Sequence, residues 1–385
     1  MPHLTRFADV VTLCTSRTAD PLVAGIERFV GLEHIQPENL HIRSWGNVAD
    51  GTTFTSTFKR GQVLFGKRRA YQRKVAVADF EGVCSSDIYV FESKHPNVLL
   101  PELLPFICQS EGFFDYAVKT SAGSLSPRTN WSHLANYEFP LSPLDEQRRI
   151  ADLLWAADDV MTDYQYTLEK LLTATTSFLE TQIANGVATD WRKILFDELL
   201  TETQYGISKK SGLRREGTVP ILGIPNVVAG DIDLSNLSWV EVTNSEFEKY
   251  KLETDDILIV RTNGNPNYVG RCVALKTIPE NAVYASYLIR LRIMGDQANP
   301  SFIEAILNSN YMRKTLMQVI RSSAGNYNLN TQGIRNQRIP LPSIEVQEKI
   351  MKILNDFNSS KRELETHIEN TKKLKSDLLN KFLMN

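Results

Sequence analysis

The chain has 385 residues, of which 42% are hydrophobic and 23% charged, and its formal net charge is -2. That length holds two domains with cores of their own, and the composition is that of a globular chain, neither disordered nor strongly polybasic. No run approaches the roughly 20 apolar residues of a membrane-spanning helix, and the opening MPHLTRFADVVTLC lacks the apolar length and small-residue cleavage site of a secretion signal.

Residues 1–142 read as a first globular region of mixed α and β character. KVAVADF and SDIYVF are β-rich between turn signals, and LPELLPFICQSEGFFDYAV is helical in part. A helical segment is expected over 143–185. A second globular region follows over 186–342, with DDILIV and RCVALK as strands and PSFIEAILNSNYMRKTLMQVI helical in part. A second helical segment closes the chain over 343–385. Strands and helices do not alternate regularly, which argues against a doubly wound sheet.

The second half restates the first. Position n laid over n+200 matches Leu134 with Ile334, Asn136 with Asn336, Pro140 with Pro340, Gln147 with Gln347, Ile150 with Ile350 and Leu154 with Leu354, without a gap. Upstream, TSAGS at 120–124 answers SSAGN at 322–326. A self-match of this length predicts one fold built twice, a pseudo-two-fold repeat of about 200 residues.

Both helical segments carry apolar residues near every 3.5 positions, the spacing of a coiled-coil seam. The first offers Ile150, Leu154, Tyr164, Leu168 and Phe178, and the second Ile350, Leu354, Phe357, Leu364, Ile368 and Leu378. Lys361, Thr371 and Lys375 are polar occupants of the same stripe. Each segment is about 60 Å long if fully helical, so the stripe needs a partner of equal length, and the other copy is the simplest one. The expected architecture is α+β: two similar mixed domains separated by two long antiparallel coiled-coil helices. Ser142 with Asp145 suggests a capping box at the first helix, Gly186 a stop at its end, and Asn358–Ser360 a weak point in the second.

The densest basic run is KRGQVLFGKRRAYQRK at 59–74, without an acidic residue. Lys67, Arg68 and Arg69 are candidates for phosphate contacts, as are Lys209 and Lys210 on the glycine-punctuated loop QYGISKKSGLRR. Tyr71, Arg73, Arg261, Asn263 and Asn265 are weaker candidates for base contacts, arginine suiting guanine edges and asparagine adenine. SPRTN at 126–130 and NYNLN at 326–330 are further loop candidates. The frame repeats while these loops differ, as two modules reading different targets would require.

Catalytic signatures fail. GQVLFGKR imitates a nucleotide-binding loop but ends on Arg68 where a hydroxyl must meet magnesium. NPNY at 265–268 lacks the second proline of the amino-methyltransferase motif, and no glycine-rich loop for S-adenosylmethionine accompanies it. The six histidines show no metal spacing. Cys14, Cys84, Cys108 and Cys272 stand far apart, predicting core thiols in a reducing cytoplasm. A scaffold of two protein-binding modules on a coiled-coil strut is the alternative reading.

Over nearly its whole length the chain resembles a DNA-sequence specificity subunit of type I restriction–modification systems. The resemblance rests on PLDEQRRIADLL, IEVQEKIMKIL, GQVLFGKRRAYQRKVAVADFEGVCSSD and VPILGIPNVVAGDIDL. The second helix start departs from the first, with Ser343 for Pro143 and Val346 for Glu146. The resemblance implies a non-catalytic subunit that grips a bipartite, asymmetric site in double-stranded DNA, with the helices as a ruler. It implies docking of two modification (methyltransferase) subunits and of restriction/translocase subunits. S-adenosylmethionine, ATP and Mg2+ would then sit on those partners and no cofactor on this chain.

Overall fold

The computed structural model describes residues 3–227, 232–323 and 325–383. They form two compact units, residues 1–167 with 364–385 and residues 168–363.

In the first unit Val63–Gly66 is an inner strand, because Val63, Leu64 and Phe65 are apolar toward both faces of their sheet and all are buried. It pairs antiparallel with Ile88–Ser93 and Val75–Val77, and Val11–Cys14 extends the sheet beyond Ile88–Ser93. A second four-stranded sheet has Arg28–Val30 parallel to Gly82–Cys84, flanked by Gly46–Asn47 and Ser56–Phe58. Helices Leu104–Gln109 and Glu111–Lys119 share one buried cluster with the first sheet, which holds Phe106 and Phe91 and in which Phe113 and Phe114 meet Phe65. Ser110 separates them. Its hydroxyl donates to the Ile107 carbonyl at 2.8 Å and accepts the Phe113 N–H at 3.3 Å, capping the second helix.

The second unit repeats this plan. Leu200–Tyr205, Leu288–Ile293, Ile257–Val260 and Cys272–Ala274 form a sheet in the same order. Thr218–Leu222 runs parallel to Val283–Tyr284 and antiparallel to Ser238–Glu241. Helices Pro300–Asn308 and Asn310–Val319 are parted by Ser309, which makes both bonds of Ser110, at 2.6 and 3.2 Å. The second unit adds helix Asn244–Tyr250 and a small sheet of Thr262–Asn263, Asn326–Asn328 and Arg321–Ser323. The α+β class and the internal repeat are therefore as expected.

A two-stranded antiparallel pair, joining the start of each globular region to its end, precedes each long helix. His3–Arg6 pairs antiparallel with Glu138–Leu141, placing Arg6 opposite Glu138. Arg192–Leu195 pairs likewise with Arg338–Leu341, placing Leu195 opposite Arg338. The next residues, Phe7 and Phe196, are fully buried and donate their N–H groups to the carbonyls of Tyr137 and Gln337, both at 2.8 Å.

The long helices span Leu144–Ala188 and Ile344–Leu383. The first does not stop at Gly186. The Trp191 indole lies where a Cβ would stand, 2.2 Å away, so this glycine makes room for a ring inside the helix. The second is not interrupted at Asn358–Ser360. Ser359 donates to the Asn355 carbonyl at 3.0 Å, so its hydroxyl is satisfied within the helix. At the first helix start it is Gln147, not a Ser142–Asp145 box, that reaches back, its amide nitrogen bonding the Ser142 carbonyl at 2.8 Å.

In the first unit Ile150 and Leu154 are buried in one cluster with Leu378 and Leu379. Asp158 meets Lys375 and the Tyr164 ring stacks on His367 at 5.1 Å, so numbers rise on one helix as they fall on the other: the segments are antiparallel. Leu364 and Ile368 are half-buried there. In the second unit Phe178 meets Phe357 edge-on at 5.9 Å, Ile350 and Leu354 are buried in the cluster that contains Ile183, and Leu168 is half-buried. Among the described residues no helix is long and apolar enough to cross a membrane. Cys84, Cys108 and Cys272 are buried free thiols and Cys14 is partly exposed.

Candidate nucleic-acid interface

In the first unit the strand Val63–Gly66 delivers Lys67, Arg68 and Arg69 to a loop that the segment 126–130 braces. Arg69 donates its N–H to the Pro127 carbonyl at 2.7 Å, Thr129 donates to the Lys67 carbonyl at 3.0 Å, and Arg68 bridges Arg128. Ser126 Oγ accepts from Nε of Arg68 at 2.7 Å and of Arg69 at 3.1 Å. Asp87 accepts from Arg68 at 3.2 Å and Arg128 at 2.8 Å. Burial pushes the Asp87 carboxyl up, but the bonds from Arg128 and Arg68 outweigh it and hold it below the usual carboxylate range. The Lys67 ammonium sits 4.5 Å over the Tyr89 ring, and burial lowers its pKa against the pull of Asp87. Asp87 balances Arg68 and Arg128, while Lys67 and Arg69 on the same loop make no ion pair with it, leaving a surplus of positive charge there.

Arg69 adopts φ +55°, a left-handed conformation that costs a residue with a side chain about 1 kcal/mol or more. The following turn, Ala70–Gln72, holds Tyr71 55% exposed. Arg73 is placed differently. It pairs with Glu111 at 2.7 Å and Glu38 at 3.3 Å and lies 4.8 Å over the Phe114 ring, so its fork is already engaged.

In the second unit Arg261 follows the equivalent strand, and again the segment near 326–330 braces it. Leu329 donates to the Arg261 carbonyl at 2.8 Å, and Thr262 and Asn263 pair with Asn328 and Tyr327. The Arg261 guanidinium bonds the Ser286 carbonyl at 3.2 Å and covers the Tyr205 ring at 4.6 Å. Asn263 and Asn265 each accept a backbone N–H two residues on, at 2.8 and 3.0 Å, which fixes their side chains while leaving each oxygen a second lone pair.

Lys209 and Lys210 line a cleft of about 690 Å3 with Tyr287, whose backbone carbonyl accepts the Arg261 N–H at 3.0 Å. Two loops fifty residues apart in sequence therefore meet. Lys209 is held by Glu246 at 2.6 Å, a bond that keeps the Glu246 carboxyl below its usual range. Lys210 is exposed and has no ion-pair partner among the described residues. Sequence reasoning missed Asp87 and Tyr287, and reached Arg128 only through the loop candidate SPRTN. The matched offsets of SPRTN and NYNLN from the repeated helix starts were the signal that these segments brace the loops.

Each unit thus presents a loop cluster on one shared frame, basic in the first and rich in amides in the second. Such an arrangement defines a protein with two related recognition modules. Residues 44–173 and 189–373 match the family described as the type I restriction modification DNA specificity domain, and the chain belongs to that family. It is 28% identical over 299 residues to the EcoKI specificity subunit of Escherichia coli strain K12, an alignment covering 71% of this chain and 63% of that protein. It is 24% identical over 390 residues to the MjaVIII specificity subunit of Methanocaldococcus jannaschii, covering 95% and 84%. Among solved structures, the type I restriction–modification S subunit of M. genitalium aligns with TM-score 0.61 at 16% identity, covering 98% of this chain and 95% of that one.

Proposed function

We propose that this chain is the DNA-reading subunit of a type I restriction–modification complex and carries no catalytic centre of its own. Each loop cluster would grip one half of a bipartite, asymmetric site in double-stranded DNA. Lys67, Arg68, Arg69 and Lys210 would hold phosphates, with Lys209 joining them if Glu246 releases it. Tyr71, Arg261, Asn263 and Asn265 would face bases. Arg73, tied to Glu111 and Glu38, is better read as a brace for the loop.

The observation that carries this reading is the duplicated frame with unlike loop tips. Two binding heads of one topology and different side chains suit a target whose halves differ. The partners would be two modification subunits, bearing S-adenosylmethionine, and restriction/translocase subunits using ATP and Mg2+, in the cytoplasm. Selection of duplexes from a random library by the assembled complex tests the reading. Recovery of two short unlike motifs at fixed spacing supports it. Recovery of no motif, or of one palindrome, overturns it.

A further inference from the structure

The second unit holds a cluster of cations that its twin in the first unit neutralises. Hairpin register fixes the correspondence. Gly66 donates to the Lys74 carbonyl and Val260 to the Arg271 carbonyl, so Arg73 and Gly270 occupy the same place. Counting from the capping serines Ser110 and Ser309 puts Arg313 where Phe114 stands and Asn310 where Glu111 stands. Both units thus hold a guanidinium between loop and helix, approached from opposite sides. In the first, Arg73 comes from the loop, lies over Phe114 and is balanced by Glu111 and Glu38. In the second, Arg313 comes from the helix and lies over Gly270, where a Cβ would be 2.8 Å from its Nη1.

Asn310 replaces Glu111, and among the described residues no carboxylate takes the part that Glu111 and Glu38 play in the first site. Arg313 donates to the carbonyls of Val269 at 2.5 Å and Asn267 at 3.2 Å, which satisfy its N–H groups without cancelling its charge. Arg271 and Lys314 stand beside it on one open cleft of about 890 Å3, joined by Asn267 and Met317. No carboxylate among the described residues pairs with any of the three cations. Glu180, the carboxylate bonded to this helix, accepts the Asn310 N–H. Burial, together with the neighbouring Arg271, lowers the Arg313 pKa, as expected for a cation lacking a counter-charge.

We propose that Arg271, Arg313 and Lys314 form a seat for a backbone phosphate of DNA, a contact beyond the loop-tip residues and resting on the DNA-reading function above. Arg271 lies on the same loop as Arg261, Asn263 and Asn265, so a strand followed by those side chains continues toward it. The seat would position the duplex and contribute no sequence information.

The test is binding of a random-sequence duplex by the full-length chain, measured by fluorescence anisotropy across salt concentrations. Arg271→Gln with Lys314→Gln leaves the Arg313 clamp in place. It should weaken binding several-fold at low salt for every sequence and flatten the log–log salt slope by about 1 for one lost phosphate contact. Lys314→Glu, a change at an exposed helix position, should flatten the slope likewise with an unchanged thermal midpoint. Wild-type affinity and slope in both variants would overturn the seat while leaving the DNA-reading function standing. Failure of the wild-type chain to bind any duplex at low salt would overturn both.

Discussion

The side chain of Gln147 is bonded to the backbone on either side of Leu99: its oxygen accepts the Leu100 N–H at 2.8 Å, and its nitrogen donates to the Val98 carbonyl at 2.8 Å. Gln347 does the same in the second unit, accepting from Asn299 at 2.8 Å and donating to Gln297 at 3.3 Å and Pro342 at 3.0 Å. Both are buried, at 1% and 0% exposure. One residue type thus fastens each long helix to the loop beside its sheet. Replacing either by leucine keeps the volume but strands a buried N–H, at a cost of about 1–3 kcal/mol. The denaturant midpoint should fall by similar amounts in Gln147→Leu and Gln347→Leu; a neutral result in either would show that water replaces the bond.

Asp158 is an ionic centre inside the helix pair of the first unit. It is bonded by Lys375 and by His41 at 2.9 Å, with the Lys375 ammonium 5.3 Å from the Phe106 ring. Removing one partner of a buried pair typically costs about 3–5 kcal/mol, because the other charge is left without compensation. Asp158→Leu should approach that loss, and adding Lys375→Met should recover much of it. Additive losses in the double variant would mean that the two groups are not coupled.

The same carboxylate makes stability depend on acidity. Burial alone would raise its pKa, but the bonds from His41 and Lys375 and the charge of Lys375 prevail and hold it below the usual range. A carboxyl depressed in the folded state stabilises the protein above the ordinary carboxylate pKa of about 4, and that contribution disappears as pH falls through the folded value. Urea midpoints measured from about pH 5 to pH 2 should decline less steeply in Asp158→Asn than in the wild type. Parallel curves would assign the acid sensitivity to other groups.

Asp87 restrains the basic loop of the first unit. Converting it to asparagine removes the counter-charge of Arg68 and Arg128, and the DNA reading then predicts tighter binding to arbitrary duplex with a steeper salt slope. Arg68→Ala should do the opposite, weakening all sequences and flattening the slope by about 1. Anisotropy titrations at several salt concentrations compare the two. Equal slopes would remove this loop from the DNA contact.

Gly270 has φ +81° and no room for a side chain beside Arg313. Gly270→Ala should cost about 1–2 kcal/mol from backbone strain, plus the displacement of the guanidinium. Adding Arg313→Ala should relieve only the second part, so the thermal midpoint of Gly270→Ala should remain below that of the wild type in the double variant's background as well.

The frame was legible because its signals are local. Val63–Phe65 and Ile257–Val260 are short continuous apolar runs between turns, and the heptad spacing of Ile150 through Phe178 reads directly as a seam. The contacts that decide the sites are not local. Asp158 and Lys375 are 217 residues apart, and Lys375 appeared in sequence only as a polar interruption of an apolar stripe. Arg73 looked like its neighbours Arg68 and Arg69, yet Glu38 and Glu111, 35 and 38 positions away, take it out of the exposed cluster. The weakness expected at Asn358–Ser360 was misjudged because serine and asparagine favour turns only where the helix offers their side chains no internal acceptor.

The strand pairs that close each globular region also bear on how a chain containing the same fold twice avoids assembling it wrongly. His3–Arg6 could in principle meet Arg338–Leu341, since that strand has the same length and direction as its proper partner. In the register of the native strand pairs, such an exchange would set Arg6 directly against Arg338, two like charges face to face, whereas the correct strand offers it Glu138. The register at the base of the first half would thus disfavour the exchange by about 0.2–1 kcal/mol, the size of one cross-strand pair.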